Sequence, residues 1–216
     1  MNHQNTKKLT TTGMLCALSY AAAAIGRIPL VLFLKYDPKD VIIAIGGLIY
    51  GPVTSLFVTV TVSVIQMVTI SGTGILGCMM NMISSCSFAC MTAWIYQRKR
   101  RLTGAICGLL CGWGCQVVVM MLWNYLIAPI YMGYSREAVA ALLIPAFLPF
   151  NLIKGGLNAA ITMLLYKPVV TVLRRAGLID MSPDQGKMRI HTGVVLASLF
   201  VLISCIMWVL SLKGII

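Results

Sequence analysis

The sequence predicts an all-α integral membrane protein, because its composition is too apolar for a soluble domain and its apolar runs are as long as membrane-spanning helices. Hydrophobic residues make up 59% of the 216 residues, whereas charged residues make up only 10%. These proportions are typical of chains that lie in a bilayer. The runs are also too long for a membrane β-barrel, whose strands alternate over about ten residues.

The predicted helices follow one another with short polar connections. The first covers residues 9–26 and ends before Pro29. The uncharged run 41–70 would make roughly 45 Å of helix at about 1.5 Å per residue, which is too long for one crossing of a core about 30 Å thick. Because Gly51 and Pro52 interrupt this run, we expect two helices there, one of them short. The remaining predicted spans are 75–96, 102–127, 138–166 and 192–212.

These spans predict one six-helix membrane domain over residues 9–175. A cytoplasmic tail at 1–8 precedes it, and a basic linker at 176–191 follows it. The last apolar run, 192–212, is long enough to cross the membrane once more, so we expect residues 192–216 to form an additional C-terminal transmembrane segment.

The basic residues predict an N-terminus in the cytoplasm, because cytoplasmic loops of membrane proteins carry an excess of Lys and Arg. If the spans alternate, the cytoplasmic side receives Lys7, Lys8, Arg98, Lys99, Arg100, Arg101, Arg174, Arg175, Lys187 and Arg189. The outer side receives only Arg27, Lys35, Lys39, Arg136 and Lys213. Since these residues lie in short loops beside apolar runs, the net charge of +12 indicates a multi-pass plasma-membrane protein in a lipid bilayer and not a nucleic-acid-binding protein.

The cysteines and the sequence motifs indicate no metal site and no enzyme. Cys86 and Cys90, then Cys107, Cys111 and Cys115, recur at four-residue spacing in apolar helices, where cysteine is a small packing residue. No C-x-x-C pair occurs, and no histidine accompanies these clusters. There is also no G-x-x-x-x-G-K-[ST] phosphate loop, so we expect a non-catalytic protein without a cofactor that depends on a partner for energy.

Lys154 is the most informative residue, because a charge near the centre of a membrane helix costs roughly 2.5 to 3.5 kcal/mol on insertion scales. Asn151, Lys154 and Asn158 stand at i, i+3 and i+7, so they share one helix face. Either Lys154 reaches the headgroups while the asparagines join helices, or this face belongs to a binding site. In a binding site its partner would be Asp37, Asp40 or a carbonyl of the ligand.

Polar residues from distant parts of the sequence are predicted to meet at the outer end of the bundle. With the N-terminus inside, that end receives the polar segment 35–40, Asn81, Asn124, Asn151 and Lys154. Carboxamides, one lysine and aromatic rings such as Tyr36 and Trp123 would suit a small, flat solute that forms hydrogen bonds.

The first predicted helix carries three pairs of small residues at four-residue spacing, namely Ala17 with Ala21, Ser19 with Ala23, and Ala22 with Gly26. This spacing lets another helix approach closely. It is compatible both with packing inside the bundle and with docking of a partner protein.

Four segments together resemble one known family. FLKYDPKD after the first helix, GPV at the start of the third, LWNYLIAPIYMG, and PFNLIKGGLNAAITMLLYKPV resemble the riboflavin-specific substrate-binding (S) components of energy-coupling-factor transporters. The resemblance covers about residues 9–175. It implies a six-helix S-component bundle in which the loop after the first helix covers an outward-facing vitamin pocket. Uptake in that family requires a transmembrane T component and two cytoplasmic ATPases.

The resemblance also implies functional residues. Its pocket would be formed by Leu34, Tyr36, Asp37, Asn81, Asn124, Asn151 and Lys154. Its ligand would be riboflavin, with flavin mononucleotide or analogues as related candidates. The small residues of the first helix resemble the surface that docks on the T component.

Other functions remain open from the sequence. An ion-coupled secondary carrier is disfavoured by the absence of acidic residues from the predicted spans and of a repeated half. A membrane scaffold would use its asparagines only to join helices. An S component for thiamine or biotin is a nearer alternative, since charge placement alone does not identify the vitamin.

Overall fold

A computed structural model of the chain describes residues 3–31, 34–70, 72, 74–133, 135–177 and 192–212. Its elements in chain order are α1 (His3–Ile25), β1 (Ile28–Val31), β2 (Leu34–Tyr36), α2 (Lys39–Tyr50), α3 (Pro52–Thr69), α4 (Gly74–Arg98), α5 (Leu102–Met132), α6 (Arg136–Leu142), a π-helical segment (Leu143–Phe147), α7 (Leu148–Arg175) and α8 (Thr192–Leu212). The predicted helical fold class is confirmed.

Five helical stretches of the described chain are long and apolar enough to cross a membrane: α3, α4, α5, the continuous run Arg136–Leu173, and α8. The observed run Arg136–Leu173 extends beyond the predicted span 138–166 at both ends. The connection between the predicted spans 102–127 and 138–166 is shorter than expected, because α5 continues through Pro129 to Met132. Membrane helices tolerate such prolines when neighbouring groups satisfy the freed backbone.

Helix α1 starts earlier than the predicted residue 9. In its polar first turns the hydroxyls of Thr10, Thr11 and Thr12 each donate a hydrogen bond to the carbonyl oxygen four residues before. These bonds satisfy the hydroxyls within the helix.

The predicted break between α2 and α3 is confirmed. Gly51 has φ 102° and ψ 177°, a conformation that is essentially restricted to glycine, and Pro52 occupies the first turn of α3. The short helix is α2, with 12 residues. It lies in the centre of the bundle, where it packs against α1, α3, α4 and α7.

The chain between α1 and α2 is more regular than predicted. Strands β1 and β2 form an antiparallel hairpin that pairs Ile28 with Tyr36. Lys39 and Asp40, which the sequence assigned to a loop, begin α2, and both are fully buried. An acidic residue in the first helical turn is favourable because the N-terminus of a helix carries a partial positive charge.

Helix α8 packs against α7. Most of the predicted basic linker, residues 178–191, lies outside the described residues, as do residues 1–2 of the predicted tail and residues 213–216 after α8.

Candidate ligand-binding site

A cavity of about 470 Å³ lies at the end of the bundle where α3 ends and α4 begins. It is lined by Arg27, Leu34, Lys35, Asp37, Ile70, Gly72, Leu76, Gly77, Met80, Asn81, Ser84, Met120, Phe150, Asn151 and Lys154. Its volume is within the usual range for small-molecule sites, and its wall combines apolar side chains with a few converging polar groups.

Five of the eight sequence-predicted ligand-binding residues line this cavity: Leu34, Asp37, Asn81, Asn151 and Lys154. They come from the hairpin region, from the start of α4 and from the start of α7. The structure therefore brings Asp37, Asn81, Asn151 and Lys154 together at one end of the bundle.

The other three predicted residues, Tyr36, Trp123 and Asn124, are not part of the cavity lining. Tyr36 turns into the bundle, where its hydroxyl donates a 2.9 Å hydrogen bond to Oδ1 of Asn158. Burial, followed by the nearby carboxylates of Asp40 and Asp37, raises the pKa of the Tyr36 phenol above its usual value, so this hydroxyl stays protonated.

Trp123 and Asn124 lie about one turn beyond Met120, the residue through which α5 reaches the cavity. Nε1 of Trp123 and Oδ1 of Asn124 are buried without a hydrogen-bond partner. The sequence thus placed Trp123 and Asn124 within one helical turn of the cavity along α5, but that precision does not identify the side chains that line it.

Lys154 is held from inside the bundle. Its Nζ lies 3.0 Å from Oδ2 of Asp40 and donates a 2.9 Å hydrogen bond to Oγ of Ser84. Asp40 also accepts hydrogen bonds from Ser85 and from Asn158. Since only 7% of the Lys154 side chain is exposed, these contacts favour a binding-site role over a position in the headgroups.

A second ionic cluster surrounds Asp37, and the sequence analysis did not anticipate most of it. Nε of Arg27 lies 3.8 Å and Nζ of Lys39 lies 3.7 Å from Oδ2 of Asp37. Gln66 donates to the same oxygen at 3.2 Å and accepts a hydrogen bond from Lys39. The available signal was Gln66 itself, the single carboxamide within the uncharged run 41–70.

Asn151 is oriented by its own helix. Its Nδ2 donates a 2.8 Å hydrogen bond to the carbonyl oxygen of Phe147, whereas its Oδ1 is buried without a partner. A buried acceptor without a hydrogen bond is costly, and a ligand N–H group at this position would remove that cost.

The sequence analysis also missed the apolar wall and part of the charge of the cavity. Phe150, Met80 and Met120 supply an aromatic ring and two flexible thioethers. Arg27 and Lys35 join Lys154, so the lining holds three cations and one carboxylate, that of Asp37. Phe150 and Lys35 lie within the segments that resemble the S components. Nothing in the sequence distinguished them from neighbouring apolar or charged residues as part of a cavity wall.

The small residues of α1 divide between two faces. Ser19 and Ala23 are fully buried, as expected for residues that pack inside the bundle. Ala17 and Ala21, in contrast, are exposed. Ala22 is half-buried. Gly26 is also half-buried, and a Cβ there would come within 2.6 Å of Cγ of Pro38, so Gly26 serves contact within the chain.

Comparison with known proteins identifies the family. The family model described as "ECF transporter, substrate-specific component" matches residues 7–166, which is most of the chain. The chain belongs to this family. As the sequence resemblance implied, this substrate-specific component is a binding protein and not an enzyme.

Two relatives and one solved structure support the assignment. The riboflavin transporter RibU of Staphylococcus aureus is 26% identical over 81% of this chain and 96% of its own length. The riboflavin transporter FmnP of Bacillus subtilis is 29% identical over 79% of this chain and 97% of its own length. The structure titled "Structure and mechanism of the S component of a bacterial ECF transporter" matches with a TM-score of 0.68 and 25% identity, over 79% of this chain and 99% of that one.

Proposed function

We propose that this chain is the riboflavin-binding component of an ECF-type vitamin importer. The observation that carries the proposal is the cavity in which Asn81, Asn151 and Lys154 converge beside the ring of Phe150. The two relatives described as riboflavin transporters support the choice of vitamin.

The chemistry of the flavin ring suits these groups. The isoalloxazine edge alternates carbonyl acceptors with an N–H donor, and a carboxamide can both donate and accept. Oδ1 of Asn151 is an available acceptor. An ammonium has three donors, so Lys154 retains one after its contacts with Asp40 and Ser84.

The proposed orientation puts the N-terminus in the cytoplasm and the cavity on the outer side of the plasma membrane. Helix α4 begins beside the cavity and ends at Arg98, next to the basic residues Lys99, Arg100 and Arg101. This arrangement supports an inner position for the basic end, following the usual excess of Lys and Arg in cytoplasmic loops.

The proposed partners are a T component and two cytoplasmic ATPases. The exposed residues Ala17 and Ala21 of α1 support a docking surface for the T component, because small side chains let two membrane helices approach closely. Ala22 and Gly26 contribute less to that surface, since both are half-buried.

The first experiment is the visible absorption spectrum of the detergent-purified protein, followed by identification of any released chromophore. We expect a flavin spectrum and about one riboflavin per chain, or quenching of added riboflavin fluorescence if the ligand is lost during purification. Competition by flavin mononucleotide would show how far the cationic lining tolerates a phosphate. A colourless protein that does not quench riboflavin but binds thiamine or biotin would overturn the proposal.

A further inference from the structure

Helix α8 lies beyond the family match, which ends at residue 166, yet it contacts the ligand-binding end of the molecule. It packs against α7 and also touches strand β1 of the hairpin that borders the cavity. A helix that served only as a membrane anchor would not need this second contact.

Helix α8 approaches α7 closely at Gly156. A Cβ at that position would lie 3.0 Å from Sγ of Cys205, which is tighter than ordinary packing. Cys205 is itself buried. Gly156 thus leaves the room in which Cys205 fits, and a larger side chain at either position would push the two helices apart.

The buried face of α8, formed by Val201, Leu202, Cys205 and Val209, joins the core beneath the hairpin. The same cluster contains Leu34 and Tyr36 of strand β2 and Phe150 of α7. Leu34 and Phe150 also line the cavity. One continuous apolar contact therefore connects α8 to two walls of the proposed ligand site.

We infer that α8 is a brace that holds the hairpin against α7 and so slows release of the ligand, with Cys205 as a positioning residue. The physical reason is that two short strands are at best marginally stable without packing support. The inference rests on the proposed function for its ligand, but the contact between α8 and the hairpin does not depend on which ligand binds.

The test compares two substitutions on neighbouring positions of α8 in the full chain. Cys205→Trp overfills the contact with Gly156, whereas Ile203→Trp places the same side chain on a position that is 57% exposed. We expect Cys205→Trp to raise the riboflavin dissociation rate about tenfold, because overpacking a core costs enough to produce a change of that size. Ile203→Trp should leave the rate unchanged, and Cys205→Ser should retain the wild-type rate.

Hydrogen–deuterium exchange supplies a readout that needs no ligand. In Cys205→Trp, the amides of the hairpin should exchange faster while those of α4 and α5 keep their protection. Equal exchange of the hairpin amides in both tryptophan variants would overturn the inference that α8 braces the hairpin. Faster exchange throughout the bundle would overturn it as well. If the wild-type chain fails to bind riboflavin, the proposed function fails, but the exchange comparison still tests the brace. If Cys205→Trp does not fold, Cys205→Leu takes its place.

Discussion

Lys154 forms a buried ion pair with Asp40 and also lines the cavity. Asp40 and Ser84 fix its ammonium from one side, and Ser85 and Asn158 in turn hold the carboxylate of Asp40. Burying two charges is costly, and good geometry with additional hydrogen bonds offsets that cost. In the proposed function Lys154 is therefore a preorganised donor, and such a donor improves affinity because little side-chain freedom is lost on binding.

Asn151 provides the sharpest prediction at the scale of a residue. Asn151→Ala should weaken riboflavin binding by at least about 1 kcal/mol, or roughly fivefold in Kd, because a polar group of the ligand would then be buried without a partner. Lys154→Ala should weaken binding by at least as much. Fluorescence-quenching titration of purified protein measures both.

Two further variants show whether the cavity lining is correct. Gln97→Ala removes an exposed carboxamide at the far end of α4 and should leave the Kd unchanged. Asn124→Ala should also have little effect, because Asn124 is buried outside the lining. A loss of affinity in Asn124→Ala with none in Asn151→Ala would contradict the site and favour a position further along α5.

At the scale of elements, the sequence predicts those features that depend on local chemistry. The break at Gly51 and Pro52 and the length of α8 follow from residue type alone. The sequence analysis missed the hairpin and the start of α2 at Lys39. Lys39 was placed in a loop because a charged residue is rarely buried unless tertiary partners exist. Those partners, Asp37 and Gln66, are brought to Lys39 only by the fold.

The turn between α2 and α3 gives a prediction for an element. Gly51→Ala should lower the stability of the bundle by about 1 to 3 kcal/mol, because φ 102° with ψ 177° is a conformation that alanine rarely adopts. The added Cβ would also collide with the amide of Gln97, which is a flexible side chain. The thermal unfolding midpoint in detergent, followed by tryptophan fluorescence, measures the loss.

Matched substitutions separate the two causes. In Gly51→Ala/Gln97→Ala the collision is absent, so the remaining loss measures the backbone strain alone. Gly13→Ala, on the exposed side of α1 with open space around it, should be neutral or slightly stabilising because alanine favours helix. Equal midpoints for Gly51→Ala and Gly13→Ala would show that the turn is not constrained as described.

At the scale of the whole molecule, the cavity and the exposed small residues of α1 are separate features, and we propose that they serve separate steps. The cavity is lined by the hairpin region, α4, α5 and α7, whereas Ala17 and Ala21 lie on the outer surface of α1. The chain alone should therefore bind riboflavin in proteoliposomes without accumulating it. Accumulation should require the T component, both ATPases and ATP.

Ala17→Leu/Ala21→Leu should separate binding from uptake. Leucine keeps α1 apolar and helical but prevents the close approach of a second helix. We expect the Kd for riboflavin to stay unchanged while ATP-dependent uptake in the reconstituted complex falls at least about tenfold, since the lost helix contact would reduce assembly with the T component. Ala141→Leu, an equal substitution at an exposed position of α6, is the control and should transport normally. Normal uptake by the α1 variant would place the docking surface elsewhere on the bundle, and loss of binding would show that α1 supports the cavity itself.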